Sequence, residues 1–145
     1  MAYTITQIED AIVAKLQASA VLTALNATIA SYHGEIDDLV KQAKQLTVKL
    51  PAIYTLYGGS NFDESANRSF DDEMSFTVIV IAKDLRGDAK LEAAMYPILE
   101  EIKTVLIDND LGLNIEPLHP IGIDSLLVTK MFSIFAVEFK TLISL

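Results

Sequence analysis

With 145 residues the chain is long enough to bury a core without disulfide or metal staples, and one domain over residues 1–145 is expected. Twenty acidic against eleven basic residues leave a net charge of −9, so the clustered lysines and arginines of a nucleic-acid footprint are missing. The absence of cysteine removes disulfides, zinc ribbons and thiol nucleophiles together.

An apolar fraction of 51% is rich for a small soluble monomer and implies apolar surface buried against other subunits. The charge-poor stretch from Leu16 to Gly34 is interrupted by Gln17, Ser19, Thr23, Asn26, Thr28 and Ser31, too polar for a spanning helix, so no membrane association is expected. Glu9 and Asp10 stand where a cleaved leader would be basic, which argues against export by that route.

Thr6 and Glu9 have capping-box spacing and predict the start of a first helix. Ile5, Ile8, Ile12 and Leu16 form one stripe, which continues through Ala20 toward Leu25, with Asn26 near the end. Residues 27–32 predict a short strand, and His33 with Gly34 a turn. From Glu35 to Leu46, Ile36, Leu39, Val40, Ala43 and Leu46 repeat at helical spacing; Glu35, Asp37 and Asp38 at the start and Lys41 and Lys44 at the end complement the helix dipole.

Pro51 closes that segment, and residues 52–57 predict a second strand punctuated by Gly58, Gly59 and Ser60. Residues 61–73 then read as a solvated loop with five carboxylates against Arg68. The stretch from Ser75 to Leu106 organises the rest. Its β-branched run from Thr77 to Ile81 fits a strand buried on both faces. A turn over Lys83 to Gly87 and a cap at Asp88 lead into a helix whose apolar face is Leu91, Ala94, Met95, Ile98, Ile102, Val105 and Leu106. Pro97 predicts either a kink near Tyr96 or a helix restarting with the proline in its first turn, and Asp108 to Asp110 ends the helix.

Gly112, Pro117, Pro120 and Gly122 make residues 111–124 an irregular segment or a bent edge strand. Residues 126–143 read as one long strand with Phe135, Val137 and Phe139 on one face, Glu138 and Lys140 on the other, and Phe132 and Ile134 marking the second face as covered too. The element order implies an α+β fold, a mixed and mostly antiparallel sheet with helices packed on it.

Candidate chemistry is thin. His33, Glu35, Asp37 and Asp38 form the best metal cluster, and a small metal-dependent hydrolase built on His33 is the competing hypothesis; the spacing fits neither zinc nor calcium sites, and an acid-rich helix start explains it. His119, Ser60, Ser125 and Ser133 lack a nucleophile elbow. Gly58, Gly59 and Ser60 are followed by acids rather than a lysine, so they do not cradle phosphate. Arg86, Gly87 and Asp88 make a turn and cap rather than an adhesion motif, and Glu100 and Glu101 point in different directions on a helix. No catalytic residue, metal ligand or cofactor is expected. An interaction module remains, and its expected surface is Asp63, Glu64, Arg68, Asp71, Asp72, Glu73, Lys83, Asp84, Arg86, Phe132 and Ile134.

Five segments carry a family resemblance: IEDAIVAKL from Ile8, SYHGEIDDLV from Ser31, LPAIYTLYGGS from Leu50, FTVIVIAKDLRGDA from Phe76 and LGLNIEPL from Leu111. With the final FKT from Phe139, their order and spacing resemble the small tail proteins of Mu-like phages, a family similar to the phage tail-terminator group. The resemblance implies a structural protein of a phage or phage-derived virion, assembled in the host bacterial cytoplasm. It implies a hexameric ring at the head-proximal end of the tail tube, stopping tube growth and joining tail to head. The implied partners are further copies of the chain, the tube protein, and sheath and neck or connector proteins, with DNA passing through the ring without being specifically bound. A neck or tail-completion protein that binds the connector as a monomer is the alternative within the same class.

Overall fold

The β-branched run from Thr77 to Ile81 lies inside β3 (Phe70–Lys83), the middle strand of a five-stranded sheet. The computed structural model describes residues 3–34, 50–64, 69–83, 95–128 and 132–144. The remaining elements are α1 (Ile5–Gln17), α2 (Ala20–Ala24), β1 (Thr28–Ser31), β2 (Ala52–Glu64), α3 (Tyr96–Leu106), β4 (His119–Val128) and β5 (Phe132–Ser144). Strand order is β1-β2-β3-β5-β4; β1 runs parallel to β2, and every other pairing is antiparallel. The fold is therefore α+β with a mixed, mostly antiparallel sheet, as expected. The helices predicted over 35–46 and from Asp88 to Ala94 fall outside the described residues.

The side chains of β3 explain its place. In its first half, Met74, Phe76 and Val78 are buried while Glu73, Ser75 and Thr77 are only partly so; this alternation pins the register, because a slip of one residue would exchange the two sets. From Val78 to Ala82 every residue is buried and both faces are covered. On one face, Ile8, Ile12 and Leu16 of α1, Leu22 of α2 and Ile98, Ile102 and Leu106 of α3 pack on Phe76, Val78, Val80, Val137 and Phe139. On the other, Ala52, Tyr54, Ile79, Ile81, Phe132 and Ile134 form a second cluster, with Tyr32 set edge-on to Tyr54. Phe76 and Phe139 are cross-strand partners with no exposed surface, and each contributes about 2 kcal/mol by burial.

Helix ends show where local sequence rules competed. The capping box forms two residues earlier than Thr6 and Glu9 suggest: the Gln7 amide donates to Thr4 Oγ1 (3.1 Å) and the Thr4 amide to Gln7 Oε1 (2.8 Å). Both threonines fit the pattern, but the earlier start puts Tyr3 and Ile8 at the two positions of a hydrophobic staple, and both join the core. Nor does the first helix run on to Leu25. It stops at Gln17, and Ser19 caps a separate short α2 by accepting from the Leu22 amide. Asn26, expected near the end of the first helix, closes α2 instead, with φ of 58°: its amide donates to the Thr23 carbonyl and that of Ala27 to the Leu22 carbonyl, a Schellman arrangement.

Of the two outcomes for Pro97, the second holds: the proline occupies the first turn of α3, where its missing N–H costs nothing. The helix ends at Leu106, and Asp108 turns the chain with φ of 58°. Beyond it, two backbone bonds close the loop: the Asp108 amide donates to the Leu118 carbonyl and the Leu118 amide to the Asn109 carbonyl.

Two expectations about the second half of the chain are overturned. The strand over 126–143 is two strands, with Leu126 to Val128 completing β4 and Phe132 opening β5. Of the alternatives for 111–124, the bent edge strand applies from His119, with register shifts between Pro120 and Gly122 and between Ser125 and Leu127. A run of apolar residues does not reveal the reversal inside it, because both arms of this hairpin are apolar.

Val80 sits directly between Ile53 of β2 and Phe135 of β5 without exposure. Val80→Asp places a carboxylate there at a cost of several kcal/mol, comparable with total domain stability, and circular dichroism of the purified variant will show loss of the folded state.

Candidate functional site

Of the residues expected as a solvated loop, 61–64 and 70–73 are strand, and 65–68 lie outside the described residues. Tyr57 and Gly59 flank a register shift, and Gly59 adopts φ of +117°, so the Gly58, Gly59, Ser60 punctuation makes a bulge through which β2 continues instead of turning. The Tyr57 hydroxyl bonds Ser60 Oγ, and its ring packs on Phe76 at 5.6 Å, which ties the bulge to the core. β2 and β3 then run on as an arm with the register Asn61↔Glu73, Phe62↔Asp72, Asp63↔Asp71 and Glu64↔Phe70, flanked by the end of β5 as far as Asp71. β1 pairs only with Ala52 to Thr55, so among the described residues no strand pairs with the outer edge of β2 along the arm, while β5 reaches Asp71 on the β3 side.

The pleat sorts the arm into two unlike faces. On one, Asp63 stands directly opposite Asp71, a like-charge pair that destabilises the hairpin locally. Asp71 Oδ1 accepts from Ser144 Oγ (3.2 Å), and Glu73 pairs with Lys140 Nζ at 3.1 Å. The other face, continuous with Met74 and Phe76, carries Phe62, Glu64, Phe70 and Asp72. Phe62 and Phe70 are exposed, at 63% and 47%, whereas Asp72 is 7% exposed and its Oδ1 has no hydrogen-bond partner. A buried carboxylate oxygen without a partner carries an uncompensated desolvation cost. Alongside, residues 114–117 are strapped to β5 by the Glu116 amide on the Leu142 carbonyl (3.2 Å) and by Thr141 Oγ1 on the Glu116 carbonyl (2.6 Å). Asn114, Glu116, Pro117 and Ser144 border an open groove of about 660 Å³ there.

Of the expected surface residues, Asp63, Glu64, Asp71, Asp72 and Glu73 come together on this arm. Phe132 and Ile134 do not join them: they are 5% and 1% exposed, packed in the second cluster with Ile79 and Ile81, so they are internal packing of the chain itself. Lys83 ends β3 opposite Phe132, and Arg68, Asp84 and Arg86 lie outside the described residues. Phe62 and Phe70 were missed. Their aromatic side chains, bracketing a polar stretch, were the available sign that strands rather than loop continue there.

The enzymatic alternatives gain nothing from the geometry. His33 lies at the turn after β1, while Glu35, Asp37 and Asp38 are outside the described residues, and among the described residues no group of three potential ligands converges. Ser125 is six positions along β4 from His119, about 20 Å in an extended strand. Glu100 is exposed and pairs with Lys103 Nζ at 2.8 Å on α3. No helix among the described residues is long and apolar enough to cross a membrane.

Comparison with known proteins follows the chain almost end to end. The model of the family described as "Bacteriophage Mu, Gp37" matches residues 4–143. No curated protein matches. Among solved structures, a chain of the "Virion of native gene transfer agent (GTA) particle" shares the fold with a TM-score of 0.64 at 18% identity, covering 99% of each chain.

Gly59→Ala, which puts a side chain at a φ of +117°, lowers stability by about 1–3 kcal/mol in urea melts. Asp72→Leu removes the buried Oδ1 that lacks a hydrogen-bond partner and raises the thermal midpoint by a few degrees, on the order of 1 kcal/mol. Serine at Asp71, Asp72 and Glu73 together leaves the fold intact by circular dichroism, since the one ion pair lost is about one-third exposed and worth less than about 1 kcal/mol.

Proposed function

The chain belongs to the bacteriophage Mu Gp37 family, and from that premise we propose that it is a structural subunit of a phage or phage-derived tail. It acts as a single tail-terminator-like unit that caps the head-proximal end of the tail tube in a ring of several copies, six by the family resemblance. The ring stops tube growth and presents a surface to the neck. The observation that supports this reading is the joint one: a family match over residues 4–143, and a fold shared end to end with a chain of a gene transfer agent virion.

Physical features agree with an assembly role. The β2–β3 arm extends past the reach of β1 and carries five carboxylates with two exposed phenylalanines, a combination suited to a basic and partly apolar protein partner such as tube or neck protein. Its acidic face repels phosphate, which suits a ring through which DNA passes without being gripped. Non-catalytic binding accounts for the arrangement without cofactor or metal.

The test mixes the purified chain with polymerising tube protein from the same gene cluster and follows tube length by electron microscopy. Capping predicts arrested elongation and a ring-shaped density at one tube end. A chain that stays monomeric and leaves tube length unchanged overturns the terminator role in favour of a neck or completion protein.

A further inference from the structure

Asp72 is the residue of the arm that folding alone does not account for. It is buried, and no donor reaches its Oδ1. Thr55 Oγ1 and Ser133 Oγ are buried without partners too, but they are hydroxyls, and a carboxylate loses far more when it leaves water. The register fixes what surrounds it. Phe62 stands opposite on β2 and Ile143 opposite on β5, Phe70 and Met74 lie two residues away along β3, and Glu64 is opposite Phe70. Strand alternation puts all of these on one face. Phe62 and Phe70 are exposed, so their rings change rotamer freely and open a way to the carboxylate without disturbing the ladder. Ile143 also lines the open groove beside residues 114–117, whose described lining includes Glu116 and no lysine or arginine.

We propose that Asp72 is the anchor for an arginine of another protein, whose guanidinium stacks on the Phe62 and Phe70 rings and donates to Asp72 Oδ1. The inference rests on the reading of the arm as a docking surface and names the group that surface recognises. Charge complementarity selects a cation, since Glu64 stands diagonally beside Asp72 and Glu116 borders the groove beyond Ile143. A metal ion does not fit, because among the described residues no three potential ligands converge and aromatic rings flank the carboxylate. Guanidinium answers both features, being planar enough to lie on a phenyl ring while its fork of N–H groups meets an oxygen that lacks a donor. The incoming chain then follows the groove past Ile143.

The probes are purified tube protein and purified neck protein from the same gene cluster, each titrated against the chain by calorimetry. Asp72→Asn keeps the shape and removes the charge. The variant stays folded and melts no lower than wild type, while its affinity for one of the two proteins falls roughly thirtyfold or more. One arginine-to-lysine substitution in that protein reproduces the loss against wild type and adds nothing against Asp72→Asn. Glu100→Gln on α3, an equal change of charge at an exposed site, leaves affinity unchanged. Stability and binding moving in different directions is what a merely structural carboxylate would not produce. The proposal falls if Asp72→Asn binds like wild type, if it melts well below wild type, if no arginine is coupled to Asp72, or if the wild-type chain binds neither protein. An Asp72-dependent complex that leaves tube length unchanged overturns the capping role and leaves the anchor standing.

Discussion

Everything else in the molecule leans on β3 being bonded along both edges over Val78 to Ile81 and covered on both faces over Val78 to Ala82. A strand so placed has no polar side to present to water, and its backbone groups are satisfied by β2 and β5. Its more polar first half does a different job: alternation of Met74 and Phe76 with Ser75 and Thr77 sets which face is which. Once that register is set, the helices pack on the side of Phe76 and Val80, and the far side of Ile79 and Ile81 receives Tyr54, Phe132 and Ile134.

Because β3 is anchored so firmly, the sheet tolerates features that weaken it at its margins. The arm beyond Gly59 opposes Asp63 to Asp71 and buries Asp72 without satisfying its Oδ1. At the other margin β4 leaves large aliphatic side chains in water. Neither feature helps the isolated chain fold. Both fit the proposed assembly role, in which the margins of the subunit meet other proteins.

Local rules were legible where one principle acted alone. The stripe of Ile8, Ile12 and Leu16, the buried run at Thr77 to Ile81, Asn26 closing a helix and Pro97 in a first turn all follow from residue chemistry that no neighbour contradicts. Where two local readings were equally good, tertiary contacts chose. Thr4 prevailed over Thr6 because the earlier start adds Tyr3 to the core beside Ile8. Gly58 and Gly59 satisfy a turn as well as a bulge, and what favoured the bulge was continued pairing with β3 and the anchorage of Tyr57 on Phe76. The acids of residues 61–73 look like loop composition, yet strand pairing accommodates them because one face of the arm remains open to water.

By itself, then, the sequence determined that this chain is an acidic, cysteine-free α+β protein with a doubly buried central strand and the order of segments that marks its phage family. Those properties live in composition, periodicity and order along the chain. Only the tertiary structure decided that Asp63, Glu64, Asp71, Asp72 and Glu73 lie on paired strands, that Phe132 and Ile134 are interior, and that five large aliphatic side chains are exposed along β4. Burial is a property of what lies across the sheet, and of these two apolar stretches β5 lies between β3 and β4 whereas β4 stands at the end of the strand order.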